Sequence, residues 1–424
     1  MTVGVCSLGC KVNIYESEYV ISLLKNHGYE IVDFSNKADI YIINTCSVTN
    51  EADKKSRKFI NQAKKNNENA IIIVMGCYSQ VKANEIEADI VIGNKDKSHI
   101  IELIEDYIKN NNKIKKVYDL NNYEFENMEI NKFDNHTRAF VKIQDGCNAF
   151  CSYCIIPYTR GKIRSKKFDD VINEVTKLVN NGYKEVILTG IHTGKYGLDI
   201  NTNLETLLHE LVKIKGLYRL RLSSIEINEI TDGIIELIKD NKIMAKHLHI
   251  PLQSGSNKIL KLMNRKYDVN YFINRVAEIR NRIPDISITT DLIVGFPDEN
   301  DEDFNDTLNV LHQIKFMHIH TFPYSKRDGT KASMMPNQVD GNIKKKRVKE
   351  VIEISNKYEH LYYEKYLNSI LDGVVEVNNN KIIVHTSNFI PVNINKKIKN
   401  NEIVKVKIIK VNDLKVEGDL VENI

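Results

Sequence analysis

Short apolar segments rich in β-branched residues alternate with helical segments along most of this chain, and this alternation constrains the fold most strongly. Segments that are apolar at nearly every position predict strands buried on both faces, as in parallel sheets. The first series predicts strands at residues 3–8, 40–44, 70–75 and 90–92, with helices at 15–27 and 51–65 between them. We therefore predict a doubly wound α/β domain over residues 1–112.

A second series of strands and helices follows a polar, Asn-rich segment at residues 110–136, which we interpret as a linker. It predicts strands at residues 140–144, 185–189, 218–222, 247–250, 286–294 and 317–322, with helices such as 169–181 between them. Six β/α units in a row favour a (β/α)6 partial barrel, which we place at residues 133–363. A basic helix at residues 344–365 leads out of this domain.

The hydrophobic period changes to two near the end of the chain. Short strands are predicted at residues 373–377, 381–385, 390–394, 404–411 and 415–417. Alternation over several closely spaced strands predicts a small all-β barrel at residues 366–424.

Composition restricts the class of protein. The 424 residues exceed one ordinary core, and 42% hydrophobic with 27% charged residues is typical of soluble proteins. No stretch resembles a signal peptide or a membrane span, so we expect a cytoplasmic protein without a membrane partner. Seven cysteines in a reducing compartment argue against a disulfide framework. The net charge of +4 permits a nucleic-acid partner without requiring one.

Three of those cysteines, Cys147, Cys151 and Cys154, form C-x3-C-x2-C directly after a predicted strand. Structural zinc usually takes four ligands, often as two distant C-x2-C pairs, and the chain has no second pair. Thiolates also hold iron–sulfur clusters. Three thiolates on a cubane leave the fourth iron open to a ligand, so we favour a reactive iron–sulfur cluster and keep zinc as the alternative.

Cys10, Cys46 and Cys77 are distant in sequence, but each follows a predicted parallel strand. Because the carboxyl ends of such strands line one crevice, we predict that the three converge there. Cys6 lies inside the first strand, where a buried structural thiol is expected.

The motif C-x3-C-x-aromatic-C, with Tyr153 at the aromatic position, resembles the radical S-adenosylmethionine superfamily. The resemblance implies a [4Fe-4S] cluster on Cys147, Cys151 and Cys154 whose open iron chelates S-adenosylmethionine. One electron from a flavodoxin- or ferredoxin-like donor then cleaves the sulfonium and gives a 5′-deoxyadenosyl radical. Tyr153 is expected against the adenine.

The same resemblance suggests further cofactor contacts at the ends of the barrel strands. They are Thr189, Gly190, Arg221, Ser223, Glu226 and Gly295. For the two glycines the alternative is that they only turn the chain, and for Arg221, Ser223 and Glu226 that they contact substrate instead. His192 and Lys195 follow the second barrel strand and are expected near the site.

Two three-cysteine sets resemble one branch of that superfamily, the methylthiotransferases, over essentially the whole chain, including a C-terminal TRAM barrel. This implies a second [4Fe-4S] cluster on Cys10, Cys46 and Cys77 that carries the sulfur. S-adenosylmethionine would serve as both methyl donor and radical source. A reactive radical must be shielded from water, so we expect the second crevice to cover the open top of the barrel.

Sequence around Cys10 separates the branches of this family. The isopentenyladenosine branch has Cys-Gln-Met-Asn there, the ribosomal-protein branch Cys-Pro-Lys-Asn, and this chain Cys-Lys-Val-Asn. That segment, together with NTCSVTNEADKKSR, GIHTGKYG and PYSKRDGTKAS, resembles the threonylcarbamoyladenosine branch. The resemblance implies methylthiolation of C2 of N6-threonylcarbamoyladenosine at position 37 of tRNA.

Two residues depart from the family pattern. Lys166 stands where arginine is common and loses bidentate geometry, which puts a phosphate or cofactor contact there in doubt. Asp298 replaces a common glycine. Lys396, Lys397 and Lys399 share a predicted loop and are candidates for RNA contact; the alternative is that this loop is only a solvated turn. The basic run 344–349 is a second candidate, but it is more typical of an exposed helix face.

Three alternatives stay open at this stage. The same chemistry could act on isopentenyladenosine in tRNA or on an aspartate of a ribosomal protein. A non-catalytic RNA-binding protein with structural metal sites is a second alternative. An electron-transfer module is a third, although it would need four protein ligands per cluster.

Overall fold

The computed structural model describes residues 1–133, 136–378 and 381–423. Parts of the predicted linker at 110–136 and of the predicted C-terminal barrel at 366–424 therefore lie outside the described residues. Among the described residues, no helix is long and apolar enough to span a bilayer.

The N-terminal unit is a six-stranded, fully parallel sheet in the order β2-β1-β3-β4-β5-β6. Its strands are β1 Thr2–Ser7, β2 Glu30–Val32, β3 Ile40–Thr45, β4 Ile71–Gly76, β5 Ile90–Ile92 and β6 Ile114–Lys116. Its helices are α1 Lys11–Asn26, α2 Asn50–Asn66, α3 Cys77–Lys82 and α4 Ile100–Asn110. The predicted doubly wound domain is confirmed, and the strand order reverses between β1 and β3, where such sheets form a crevice.

The central unit is a partial barrel of six parallel strands with one short antiparallel strand, β8 Arg164–Ser165, at its edge. The parallel strands are β7 Ala139–Asp145, β9 Glu185–Gly190, β10 Arg219–Leu222, β11 His247–His249, β12 Ser287–Val294 and β13 His318–Pro323. Its helices are α5 Ile156–Arg160, α6 Phe168–Asn180, α7 Leu204–Leu211, α8 Asp232–Asp240, α9 Asn257–Leu262, α10 Val269–Arg282, α11 Asp301–Ile314 and α12 Gly341–Glu364.

Two sheets make up this barrel, with strand orders β10-β9-β7-β8 and β11-β12-β13. Parallel bridges from Leu220 to Met244 and from Ser224 to His249 join them, so the wall runs without a break from β7 to β13. The short β8 pairs antiparallel to β7 at one edge. The six predicted parallel strands are confirmed, and their carboxyl ends form one rim.

The C-terminal unit is a closed barrel in the order β14-β15-β16-β18-β17. Its strands are β14 Ile370–Asn378, β15 Lys381–Thr386, β16 Pro391–Ile394, β17 Ile403–Asn412 and β18 Lys415–Asn423. Arg219 of β10 fastens it to the partial barrel by donating to the carbonyl oxygen of His385 at 2.8 Å and to Asp372 at 2.8 Å. The predicted all-β barrel is confirmed.

The interpretation of residues 110–136 as a linker is wrong for much of its described part. Residues 114–116 form β6, and Met128, Ile130 and Phe133 are buried in the core of the partial barrel. The apolar side chains of this segment are few and are separated by polar ones, so they form no periodic pattern. Tertiary packing, rather than local pattern, therefore orders this segment.

Phe272 and its neighbour Tyr271 on α10 provide a test of the barrel core. Phe272 is fully buried, whereas Tyr271 is 44% exposed. Phe272→Ala should lower the free energy of unfolding by about 3–5 kcal/mol because it opens a cavity, and Tyr271→Ala by less than about 0.5 kcal/mol. Chemical denaturation of both variants measures the difference, and equal losses would contradict this placement of α10.

Candidate active site at the two cysteine sets

The radical loop, defined as residues 146–155, leaves the carboxyl end of β7 and leads into α5. The Cys147 amide donates to the Gly161 carbonyl at 3.0 Å, and the Cys154 amide to the Cys151 carbonyl at 2.9 Å. These bonds fold the loop back on itself. Burial, together with repulsion from Cys151, raises the pKa of the Cys154 thiol to about 12.

Charged and polar groups from neighbouring strand ends contact this loop. Arg265 donates to Cys151 Sγ at 3.4 Å and forms an ion pair with Glu226. His192 Nδ1 lies 3.3 Å from Cys147 Sγ, and its Nε2 lies 2.8 Å from Glu229. Together these groups line a cavity of about 340 Å³ beside the loop.

The auxiliary set, Cys10, Cys46 and Cys77, follows β1, β3 and β4. Gly9 has φ of +101°, and a Cβ there would lie 2.8 Å from Cys46 Sγ. Gly76 has φ of +103°, and a Cβ would lie 2.5 Å from Asn44 Oδ1. Glycine precedes Cys10 and Cys77 because only glycine permits both the backbone conformation and the close approach.

The three auxiliary thiols are close enough to influence one another electrostatically. Burial, then repulsion from Cys77, raises the pKa of Cys46 to about 12. Burial also raises the pKa of Cys10, while the guanidinium of Arg160 opposes that rise. The three thiols thus lie near one another at the carboxyl ends of β1, β3 and β4, and their sharing of one cluster stays a prediction.

Arg160, the last residue of α5, links the radical loop to the auxiliary set. It is fully buried and donates to Asn13 Oδ1 at 2.9 Å, to Glu16 Oε1 at 2.9 Å and to Asp145 Oδ1 at 3.1 Å. Asn13 and Glu16 belong to α1, which begins after Cys10, whereas Asp145 ends β7 just before the radical loop. One side chain thus fixes both cysteine-bearing segments.

Further buried lysines complete this charge network. Lys142 lies 2.7 Å from both Glu16 and Asp145, and Lys97 lies 2.7 Å from Glu16. Burial opposes ionisation of Glu16, but the cations outweigh it and hold its pKa well below the usual range. Arg160 Nε is buried without a partner among the described residues. Cations outnumber carboxylates in the network, so it favours negative charge on the adjacent thiols.

One cysteine of each set, Cys10 and Cys154, lines a cavity of about 370 Å³, which we call the shared cavity. It is lined by Cys10, Val48, Thr49, Tyr153, Cys154, Ile155, Ile156, Gln253, Asp291, Ile293, Phe322, Pro323, Tyr324 and Ser325. The walls come from the N-terminal crevice, the radical loop and the carboxyl ends of β12 and β13. The N-terminal unit therefore covers the rim of the partial barrel, as expected.

Arg327 holds this cover in place at the opposite side. Its guanidinium donates to Ser47 Oγ at 2.7 Å, to Asp53 Oδ2 at 2.7 Å and to Asn50 Oδ1 at 2.9 Å. The two segments NTCSVTNEADKKSR and PYSKRDGTKAS, singled out from sequence, are therefore in direct contact.

The predicted cofactor contacts divide into two groups. Tyr153 lines the shared cavity, and Glu226 reaches Cys151 through Arg265. Thr189 is buried in β9, and Ser223 lies 3.2 Å from Thr193 Oγ1 at the end of β10. These four positions lie at or near the rim.

The other predicted contacts have packing roles in the structure. Arg221 pairs with Glu185 at 2.8 Å and donates to the Thr386 carbonyl of the C-terminal barrel at 3.0 Å. A Cβ on Gly190 would lie 3.1 Å from Gln144, and one on Gly295 would lie 2.3 Å from Lys344. Lys166 is buried and ion-paired with Glu174 at 2.5 Å, which accounts for a lysine there without any phosphate.

The donor set suits an iron–sulfur cluster at each cysteine set. Among the described residues, no three His, Cys, Asp or Glu side chains are gathered closely enough to share one metal ion. In an iron–sulfur cluster each thiolate binds its own corner iron, so the three cysteines need not meet at a single ion. Clustered thiolates repel one another, and a cationic cluster relieves that cost.

Sequence reasoning missed several residues that build the site. Arg160, Glu16 and Asn13 carry the interdomain network, and Arg265 and Arg327 reach across from other loops. The only available signal was position, since Arg160 lies six residues after Cys154 and Asn13 and Glu16 lie on the helix that follows Cys10.

Comparison with known proteins identifies the family. Residues 141–311 match the Radical SAM superfamily, and residues 2–94 match the uncharacterized protein family UPF0004. Threonylcarbamoyladenosine tRNA methylthiotransferase MtaB of Bacillus subtilis is 42% identical over 99% of this chain and 96% of the relative. The chain belongs to the radical S-adenosylmethionine methylthiotransferase family. Enzymes of this methylthiotransferase family use S-adenosylmethionine and [4Fe-4S] clusters.

Two further comparisons place this methylthiotransferase in its family. The tRNA-2-methylthio-N6-dimethylallyladenosine synthase of Acetivibrio thermocellus is 37% identical over 87% of this chain and 79% of that protein. The radical S-adenosylmethionine methyltransferase TsrM of Kitasatospora setae, solved with cobalamin and a [4Fe-4S] cluster, has a TM-score of 0.57 at 14% identity, over 78% of this chain and 77% of that one. The second likeness concerns the fold alone.

Arg160 offers a stability test of the interdomain network. Arg160→Met leaves Glu16 and Asp145 with less compensation in a buried site, so the free energy of unfolding should fall by about 3–5 kcal/mol. Arg160→Lys keeps the charge but loses the forked set of donors, so its free energy of unfolding should lie between those of Arg160→Met and the wild type. Thermal unfolding of the full chain measures both.

Arg282→Met is the matched control for this test. Arg282 pairs with Glu236 at the surface, where solvent screens the interaction. It should change stability much less than Arg160→Met. Equal effects of the two methionine variants would show that the buried network does not hold the units together.

Proposed function

We propose that this protein methylthiolates C2 of N6-threonylcarbamoyladenosine at position 37 of tRNA. The observation that carries the proposal is the shared cavity, onto which Cys10 of one cysteine set and Cys154 of the other both open. A sulfur donor and a radical source on one enclosed space can act on the same carbon without release of an intermediate.

The two sites have different proposed tasks. With its cluster and S-adenosylmethionine bound, the set Cys147, Cys151 and Cys154 supplies the radical, and the set Cys10, Cys46 and Cys77 with its cluster supplies the sulfur. The chain itself positions these groups: Arg160 fixes both cysteine segments, and Arg327 holds the auxiliary loop over the rim. Tyr153 and Ile293 provide apolar wall area against which a purine can pack.

Support for the tRNA substrate comes from the relatives and from the sequence around Cys10. The Bacillus subtilis relative carries the name of the threonylcarbamoyladenosine enzyme. The C-terminal barrel presents Lys396, Lys397 and Lys399 on an exposed loop, suited to contact with backbone phosphates.

An external one-electron donor of the flavodoxin or ferredoxin type is part of the proposal. The radical loop reaches the protein surface, where Phe150 is 48% and Tyr158 is 54% exposed. The rings of these two residues contact edge to face at 5.9 Å. An exposed aromatic pair beside the cluster site is a suitable contact for such a donor.

Mass spectrometry of tRNA nucleosides from cells with and without the gene tests the substrate. Loss of the gene should remove 2-methylthio-N6-threonylcarbamoyladenosine and leave its unmethylthiolated precursor to accumulate. Complementation should restore the product with the wild-type gene and not with Cys151→Ser. A profile that keeps the product without the gene would refute the tRNA assignment, and loss of the methylthio form of isopentenyladenosine would redirect it.

Cysteine variants test the division of labour in the purified, cluster-reconstituted protein. Cys151→Ala should abolish formation of 5′-deoxyadenosine. Cys46→Ala should retain that formation and lose the methylthio product. Both products are quantified by liquid chromatography with mass detection.

Cys6→Ala is the matched control, because Cys6 lies inside β1 and belongs to neither cysteine set. It should retain both reactions. Full methylthio product from Cys46→Ala would remove the auxiliary set from the mechanism, and normal 5′-deoxyadenosine from Cys151→Ala would remove the radical loop.

A further inference from the structure

His192 lies directly beside one cysteine of the radical loop. Its Nδ1 atom is 3.3 Å from Cys147 Sγ, and its Nε2 atom is 2.8 Å from Glu229 Oε1. The side chain of His192 is 11% exposed and that of Glu229 is 5% exposed, so water competes little for either contact. A carboxylate that orients an imidazole toward a metal site is a common way for a protein to tune that site.

The backbone on both sides of this contact is fixed by Gln144. The His192 amide donates to Gln144 Oε1 at 2.7 Å. Gln144 Nε2 in turn donates to the carbonyl oxygens of Asp145 at 2.7 Å and Gly146 at 2.8 Å. Gln144 is fully buried, and Cys147 follows Gly146 in the chain. One side chain therefore ties the loop that carries His192 to the segment that leads into Cys147.

Glu229 is held from a second side. Lys195 Nζ lies 3.3 Å from the same carboxylate oxygen that His192 contacts. A Cβ on Gly194 would lie 2.8 Å from the Cβ of Glu229, so glycine allows the loop to pass close to this side chain. The close approach leaves Glu229 little freedom to turn away from the imidazole.

Both ring nitrogens of His192 face acceptors when Cys147 is an iron ligand. An ionised carboxylate has no hydrogen to donate, and neither has a cysteine that binds iron as a thiolate. Each ring nitrogen therefore donates, Nε2 to Glu229 and Nδ1 to Cys147. The Ala149 amide donates to the same sulfur at 3.4 Å. Hydrogen bonds to the sulfurs help to set the reduction potential of an iron–sulfur cluster.

We propose that His192, positioned by Glu229, raises the reduction potential of the radical-loop cluster by donating a hydrogen bond to the Cys147 sulfur. Such a bond draws electron density from the sulfur and stabilises the state that holds one more electron. Reduction takes up one electron from the external donor, and no proton moves. The effect needs the cluster on Cys147, Cys151 and Cys154 and is independent of the nucleoside substrate.

Redox titration followed by electron paramagnetic resonance tests the proposal in the cluster-reconstituted full chain. The signal that changes when S-adenosylmethionine is added reports the radical-loop cluster. His192→Leu removes the donor and should favour the oxidised cluster by about 10-fold, a shift of about 59 mV to more negative potential for a one-electron couple. His192→Asn keeps an N–H near the position of Nδ1 and should shift the potential less.

His209→Leu is the matched control, since His209 is exposed in the last turn of α7. Its midpoint potential should equal that of the wild type. An unshifted potential in His192→Leu would overturn the inference, and so would equal shifts in the leucine and asparagine variants. Loss of iron from His192→Leu would assign His192 to cluster retention and would also contradict a tuning role.

Formation of 5′-deoxyadenosine gives a second readout. With a flavodoxin-type donor, His192→Leu should form it more slowly than the wild type, because reduction is less favourable. With titanium(III) citrate, a stronger reductant, the two proteins should form it at the same rate. A defect that persists with the stronger reductant, or a raised KM for tRNA, would show that His192 contacts a ligand instead, and the inference would be wrong.

The potential is measured without tRNA, so the inference and the proposed function fail separately. A shifted potential in His192→Leu, together with no methylthio product from the wild type on tRNA carrying N6-threonylcarbamoyladenosine, would refute the proposed function alone. An unshifted potential in an enzyme that forms this product would refute the inference alone.

Discussion

The buried charge network at Arg160 is the interaction on which the arrangement of the site depends. A guanidinium with three acceptor residues cannot shift without leaving buried carboxylates uncompensated, and that cost is several kcal/mol in a protein interior. Asn13 and Glu16 lie within six residues of Cys10, while Asp145 lies two residues before Cys147. The network therefore fixes the relative position of two cysteine sets that belong to different units. Its excess of cations also favours the thiolate state that iron ligation requires.

The partial barrel and the N-terminal sheet each contribute what such folds generally provide, which is a rim of strand carboxyl ends. In this protein the two rims face each other and enclose the shared cavity. Neither rim is complete alone: Cys10 and Thr49 come from one, and Cys154 and Asp291 from the other. The chemistry proposed for the protein needs two reactive centres on one substrate carbon, and facing rims provide this geometry without a mobile carrier.

The C-terminal barrel is connected to the site by more than a covalent link. Arg219 and Arg221 project from β10, pair with Glu185 and donate to carbonyl oxygens of the C-terminal barrel. His247 of β11 stacks on Phe389 with ring centroids 4.3 Å apart. The unit that carries the exposed lysine loop is thus held against β10 and β11 of the same partial barrel whose strands β12 and β13 line the shared cavity. A tRNA bound to the C-terminal barrel would therefore have a defined orientation relative to the cysteines.

The sequence by itself determined the three units, the fold class and the six cysteines with a common chemistry, because strand periodicity and cysteine spacing are local properties. It could not show the short strands β2, β6 and β8, which have too few residues to show a period, nor the burial of Met128, Ile130 and Phe133 in a polar segment. Only the tertiary structure decided which charged side chains matter. Arg221 looked like a cofactor contact and faces the C-terminal barrel, whereas Arg160 looked ordinary and links the two cysteine-bearing segments. The reason is physical: a charged residue has the same local pattern whether it is solvated, paired or unpaired, and its partners come from strands far away in sequence.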